Sequence, residues 1–382
     1  MSAPAVAVVA GEASGEMYGA QLARALRQLV PGLTLFGIGG ERMREAGVEL
    51  VGHIQELAVV GITEVVVHLP RVYRILRRMA GEIARRRPAL FIPIDFPDFN
   101  LRLAGKSKSL GIPVIYFISP QIWAWRKGRL ATMRRLVDHV ISIFPFEEAF
   151  YRAAGISVTY VGHPLVETAR TTVSRDCFQT RYGLAADRKT ICLLPGSRVK
   201  EIENHLPRML EAFARVAVSE CAQATIARAP TIERALIENY LGHQAAGSCQ
   251  IIILDNETYA GLAHADAAIV ASGTATVEAA LMGTPMVVVY RVSRPTWWVG
   301  KLLVHTPFYS MVNLIAGREI VPELIQDDFT VERVASEVQS LLRDGGRRNQ
   351  MRAGLAEVKQ KLGAPGAIER AAQLIAQKLP SR

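Results

Sequence analysis

Thr190-Ile191-Cys192-Leu193-Leu194-Pro195-Gly196-Ser197-Arg198 carries the reading of the fold. An apolar run suited to a buried strand ends in a proline–glycine turn bearing a cation, and a helical stretch follows to about Val218. The same strand–turn–helix unit recurs on both sides. Upstream, Ala5–Ala10, Leu33–Gly37, Ala89–Asp95, Pro113–Ser119, His139–Phe144 and Val158–Val161 read as strands, with helical stretches such as Met17–Leu29 and Leu101–Leu110 between them. Downstream, Ala224–Ala227, Ile251–Leu254, Ala267–Ala271 and Pro285–Tyr290 continue the series, and from Val331 onward the pattern is helix only. Strands alternating with helices predict parallel sheets covered on both faces. The restart at Thr190 predicts two doubly wound, Rossmann-like halves facing a cleft, with ligands beyond the carboxyl ends of the strands.

The length of 382 residues agrees with two domains. Polar, weakly periodic Gly162–Arg188 is placed as the linker. Cys177, Cys192, Cys221 and Cys249 form no C-x-x-C pair and read as reduced, structural thiols in a cytosolic setting. The first apolar run lacks a preceding basic segment and is broken by Gly11-Glu12, so it reads as a strand rather than a signal peptide. No apolar run approaches the roughly 20 residues that span a bilayer. The net charge of +10 and pI near 9.6 point to an anionic partner, whether nucleic acid, phosphorylated substrate or acidic lipid, the plainer alternative being a protein that is simply basic. No nucleic-acid-binding motif is present, and none of the eight histidines has metal-ligand spacing.

The strand ends hold the chemistry. Gly11-Glu12-Ala13-Ser14-Gly15-Glu16 is a glycine turn opening a helix, either a ligand-binding turn or simply a tight one. Its spacing is not that of a dinucleotide site, and Glu12 and Glu16 suit sugar hydroxyls better than phosphate. Arg198, beside Ser197, can grip two phosphate oxygens, as lysine cannot. Ser272-Gly273-Thr274 ends a strand and starts a helix, so backbone N–H groups and hydroxyls can meet a pyrophosphate there. Glu278, early in that helix, can accept hydrogen bonds from both ribose hydroxyls. The plainer reading is a capped helix with a favourable acid. Asp98, in Asp95-Phe96-Pro97-Asp98-Phe99-Asn100, is flanked by residues expected to exclude water and favour a base; the alternative is an N-cap. Ser119-Pro120-Gln121-Ile122-Trp123-Ala124-Trp125-Arg126 suggests a stacking or acyl-contacting wall, with core packing equally open. His163 reads as structural.

From Pro70, taken as the first helical residue, Val72, Ile75, Leu76, Met79 and Ile83 share one helix face, and seven arginines between Arg71 and Arg87 line the rest. Basic amphipathic helices of this kind lie on anionic bilayers; the alternative is an ordinary surface helix packed on the sheet. Leu69, Val72, Leu76 and Met79 are therefore the expected membrane-facing residues.

These motifs, in this order and with Asn313-Leu314-Ile315-Ala316-Gly317-Arg318, resemble the signature of the lipid-A-disaccharide synthases along essentially the whole chain. Glu16 stands where many members have aspartate, and Phe96 where alanine is common. The resemblance implies a GT-B fold, with residues 1–165 forming an acceptor- and membrane-facing domain completed by C-terminal helices of about 348–382, and 185–345 a UDP-sugar donor domain. It implies an inverting glycosyltransferase that joins UDP-2,3-diacylglucosamine to 2,3-diacylglucosamine 1-phosphate (lipid X), giving a β-1,6-linked disaccharide 1-phosphate and UDP. Asp98 would be the base, and Ser197, Arg198, Ser272, Gly273, Thr274 and Glu278 would hold UDP. Ser14, Gly15, Glu16 and Asn313 would serve the acceptor or assist. No cofactor or metal and no nucleic acid is expected. A homodimer with exchanged C-terminal elements is implied, peripheral on the cytoplasmic face of the inner membrane. The competing readings are a UDP-N-acetylglucosamine 2-epimerase, a peptidoglycan-precursor transferase of the same fold, and a non-catalytic lipid- or nucleotide-binding protein.

Overall fold

The alternation resolves into two all-parallel sheets. The computed structural model describes residues 4–57, 62–120, 122, 128–243, 249–303 and 306–380, the side chains of 13, 62–69, 243, 299, 302 and 303 excepted. The chain divides into unit 1, residues 1–164 with 362–382, and unit 2, residues 165–361.

Unit 1 holds β1 (Ala5–Ala10), β2 (Thr34–Gly39), β3 (Val48–His53), β4 (Leu90–Ile94), β5 (Ile115–Phe117), β6 (His139–Ser142) and β7 (Val158–Tyr160). Their spatial order is β3-β2-β1-β4-β5-β6-β7. Successive side chains of β1 enter opposite layers. Val6, Val8 and Ala10 join Tyr18, Leu22, Leu26, Ile368 and Ile375, while Ala7 and Val9 join Ile75, Met79 and Ile83. Both faces are covered, which is why the strand reads as an unbroken apolar run. The helix Ala367–Ala376 packs on Ala13–Leu29 and closes one layer.

Unit 2 holds β8 (Lys189–Leu194), β9 (Ala222–Arg228), β10 (Ile251–Asp255), β11 (Ala267–Ala271), β12 (Met286–Tyr290) and β13 (Glu323–Ile325), in the order β10-β9-β8-β11-β12-β13. In each sheet the order of strand addition reverses beside the first strand, between β1 and β4 and between β8 and β11, with all strands parallel. Such a switch point leaves a crevice at the strands' carboxyl ends.

Several expectations are corrected. The helix Gly345–Lys361 belongs to unit 2, where it packs on Thr274–Met282 and Met311–Ala316, so only 362–382 complete unit 1. The expected linker is mostly part of unit 2: Phe178, on helix Arg175–Tyr182, and Leu184 form a small core with Leu254 and Ala260. Pro70 lies inside a helix running Ile62–Arg86 rather than at its start. The apolar face of that helix is core. Met79 is wholly buried with Ile75 and Ile83, and Val72 and Leu76 pack against them, so Met79 does not face a membrane. The spacing that suggested a lipid face was the period of a helix covering a sheet. The side chain of Leu69 is outside those described. Strands β3 and β13 were not anticipated; both are edge strands, and β13 is only three residues long.

Candidate functional site

Gly11 and Asp98 stand on the two turns that flank the switch point of unit 1. The Phe96 ring lies over Gly11 so closely that a Cβ there would fall 2.2 Å from Phe96 Cγ. Asp95 and Phe96 both adopt left-handed backbone, with φ of 45° and 49°, a strained pair at a strand end. Buried Asn100 holds them in place, its Nδ2 donating to the carbonyls of Ile94 at 3.2 Å and Asp95 at 2.7 Å. The Tyr116 hydroxyl donates to the same Asp95 carbonyl at 2.6 Å. Asp98 then falls in the first turn of helix Pro97–Ser109, capped by Phe96 and not by Asp98 itself. Its side chain is 75% exposed and pairs with Arg129. The expected exclusion of water by Pro97 and Phe99 is not found, because Phe99 turns inward and tilts against Phe96 at 5.7 Å.

The glycine turn after β1 divides its roles. Ser14 is exposed and Gly15 buried. Glu16 is buried, and its Oε1 accepts from Arg42 N at 2.8 Å, satisfying the start of the helix Glu41–Glu45. That is a structural duty. His163 is buried between Tyr18 and Phe144, and burial pushes its pKa down to about 3, so it stays neutral. Trp123, Trp125 and Arg126 lie outside the described residues.

In unit 2 the switch point carries the turns that follow β8 and β11. Gly196 has φ 132°, and a Cβ there would come 2.5 Å from Glu201 Cβ. Glu201 reaches back to Ser197 N at 2.8 Å and to the exposed Arg198 guanidinium at 3.1 Å. An acid three residues past the cap is a helix-start signal, legible in the sequence but not drawn upon there. Just beyond the adjacent strand β11, Gly273 combines φ 149° with ψ −158°, a region essentially reserved for glycine. No side chain caps the helix Thr274–Met282, and Gly273 and Thr274 are exposed, so its N-terminus is open to an anion. Ser272 Oγ donates to the Tyr309 carbonyl at 2.8 Å. Glu278 accepts from the Tyr259 hydroxyl at 3.2 Å, and burial pushes its pKa up to about 7. Neither Tyr259 nor Arg129 was anticipated, since each meets its partner only through the fold.

Asn313 is corrected. It is wholly buried, and its amide is fully used: Nδ2 donates to Val321 O at 2.9 Å and Glu323 Oε1 at 2.7 Å, and Oδ1 accepts from Ile320 N and Val321 N at 2.8 and 3.1 Å. Two donors and two acceptors exhaust an amide, so Asn313 shapes the loop and has nothing left for substrate. Glu323 also accepts from Tyr309 N and Ser310 N, which steadies the segment that receives Ser272. Among the described residues no three His, Cys, Asp or Glu side chains gather as a metal site.

Two doubly wound parallel domains in succession define the GT-B architecture. Solved structures agree on that fold. A kitacinnamycin glycotransferase is similar with TM-score 0.64 at 18% identity, covering 99% of this chain and 100% of its own. The UDP-GlcNAc 2-epimerase from Neisseria meningitidis gives 0.64 at 12% identity over 99% and 100%. The family model of lipid-A-disaccharide synthetase matches residues 6–378, and a lipid-A-disaccharide synthase from Myxococcus xanthus is 47% identical over 99% of this chain and 98% of its own. The chain belongs to the lipid-A-disaccharide synthase family and is a glycosyltransferase.

Proposed function

We propose that the protein transfers 2,3-diacylglucosamine from UDP to the 6-hydroxyl of 2,3-diacylglucosamine 1-phosphate, releasing UDP and the β-1,6-linked disaccharide 1-phosphate. The observation that carries this reading is the pairing, at one switch point, of Arg198 with the uncapped helix start at Thr274 and the enclosed carboxylate of Glu278. Arg198 and the helix N-terminus meet the growing negative charge of the leaving diphosphate, the point at which stabilisation accelerates transfer. Glu278 receives the ribose hydroxyls. Ser197, Ser272 and Gly273 shape the turns that hold the phosphates.

An α-linked donor and a β-linked product require one in-line displacement through an oxocarbenium-like transition state. In unit 1, Asp98 takes the proton from the attacking hydroxyl. Arg129, on its carboxylate, orients it. Ser14 and Gly15 belong to the acceptor side of this reading, whereas Glu16 acts through the fold. The reading extends to peripheral attachment at the inner membrane's cytoplasmic face and to a homodimer exchanging C-terminal elements. Basic Arg71, Arg74 and Arg77 are exposed beside the described helix face and supply charge for anionic lipid. Among the described residues no helix is long and apolar enough to cross a membrane.

The test is a product assay with both acylated substrates. Disaccharide 1-phosphate and UDP in equal amounts are expected. Conversion of UDP-N-acetylglucosamine alone to its 2-epimer, without disaccharide formation, would replace this reading. Vesicle flotation and light scattering check membrane attachment and dimer.

A further inference from the structure

His205 is wholly buried on helix Val199–Glu220, about two turns beyond Arg198. Its ring touches two separate loops. Nδ1 lies 2.9 Å from the Pro195 carbonyl, and Nε2 accepts from Arg291 N at 3.0 Å. A single neutral tautomer satisfies both contacts, with the proton on Nδ1 and the lone pair on Nε2. Burial lowers the pKa of the ring below its ordinary value and favours that neutral form. A second proton on Nε2 would forfeit the Arg291 N–H and turn this nitrogen to the Arg291 carbonyl, 3.1 Å away.

The two loops follow β8 and β12, which are not neighbours. β11 lies between them, so the ring bridges across the end of the strand that leads into Ser272-Gly273-Thr274. Gln326 grips the far side of the same loop, donating to Val292 O at 2.8 Å and accepting from Val292 N at 3.1 Å. Tyr290 and Phe329 pack against the imidazole at 5.2 and 6.0 Å. Charges of both signs surround the loop: Arg208 is held below its usual value by burial and then by the charge of Arg291, while Glu201 acts on both His205 and Tyr290, ahead of Arg208 at the one and Arg198 at the other.

We propose that His205 is a positioning residue for the donor diphosphate. Through its two ring nitrogens it locks the Pro195–Arg198 turn and the Arg291 backbone on either side of the helix start at Thr274. The proposal rests on the donor-site reading above. Preset turns spare the reorganisation that binding would otherwise cost, so the effect falls on nucleotide affinity.

The experiment is UDP titration calorimetry on the full chain and on His205→Leu, His205→Gln and Arg198→Ala, with steady-state constants for both substrates. Leucine leaves the Pro195 carbonyl and the Arg291 N–H without partners; affinity for UDP is expected to fall about three- to tenfold. The donor KM should rise while the acceptor KM is unchanged. Glutamine, whose amide NH2 can donate to the Pro195 carbonyl and whose carbonyl can accept from Arg291 N, should recover most of the loss. Unchanged UDP affinity in a folded leucine variant overturns the proposal, as does a glutamine variant no better than leucine. If leucine prevents folding, the wild-type histidine ¹⁵N spectrum decides: the Nδ1–H tautomer is expected, and an Nε2–H tautomer or an imidazolium at neutral pH overturns it. Loss of affinity in Arg198→Ala alone would confine the failure to His205, whereas no loss there removes the donor site itself.

Discussion

The Tyr259 hydroxyl donates to Glu278 Oε1 across 3.2 Å, joining the helix Thr258–His264 to the helix Thr274–Met282. Both helices belong to unit 2: the first follows the edge strand β10, the second follows β11 at the switch point. Tyr259 is itself pushed upward by burial and by the Glu278 charge, so the phenol remains a donor at any working pH. Glu278 therefore keeps one oriented hydrogen bond and has capacity left for ligand hydroxyls.

Glu278 predicts a pH dependence of known sign. Burial raises its folded pKa from 4.5 to about 7. Between those values the native state binds more protons than the unfolded chain, so this group's contribution to stability falls as pH rises through that window. Glu278→Gln should melt higher than the parent at pH 8 and lose that advantage at pH 5. UDP affinity of the parent should weaken as pH drops below about 7, because ribose hydroxyls donate to the carboxylate. The glutamine variant should bind more weakly at pH 8 and share only the dependence due to UDP itself. Calorimetry at both pH values checks it; identical profiles would remove Glu278 from the ribose site.

Arg198→Ala should cut kcat/KM by about ten- to a hundredfold, the value of one charge-assisted contact, and more if the contact tightens in the transition state. Thermal stability should be nearly unchanged, since the guanidinium is 65% exposed and its partner Glu201 retains Ser197 N. EDTA should leave the parent's activity intact if Arg198 and the helix terminus meet the phosphate charge. Restoration by magnesium after chelation would show otherwise.

For Asp98→Asn, kcat should fall about 10²- to 10⁴-fold, the usual range for loss of a general base. KM for either substrate should move little, because the amide still hydrogen-bonds. Arg129→Ala should lower kcat less than Asp98→Asn does, and the double variant should be no worse than Asp98→Asn alone. Additive losses would place Arg129 on a separate task.

Met79→Ser should destabilise unit 1 by about 2–5 kcal/mol or more, the cost of emptying a filled core position, with a hydroxyl added to it. Vesicle binding per folded molecule should not change. Exposed Arg71→Glu, Arg74→Glu and Arg77→Glu together should weaken binding to anionic vesicles with little loss of stability. The reverse pattern would return the apolar face to the membrane.

Periodicity and turn chemistry determined a good deal by themselves. Strands such as Ala5–Ala10 and Ala267–Ala271 are legible because a strand buried on both faces has only apolar residues to show. Gly11, Pro195-Gly196 and Ser272-Gly273 are legible because their backbones require glycine or lie where strand passes to helix. The domain restart and the site turns follow from that pattern. What periodicity does not encode is which surface a helix face meets. Val72, Leu76 and Met79 have the same spacing whether they cover a sheet or lie on lipid, and only the packed layer decided for the sheet. Pairings distant in sequence were equally hidden: Asp98 with Arg129, Glu278 with Tyr259, and His205 between Pro195 and Arg291. Asn313 shows the same limit from the other side. Its motif marked it for substrate, but a buried amide must satisfy its hydrogen bonds where it lies, and the fold surrounded it with Val321, Glu323 and Ile320.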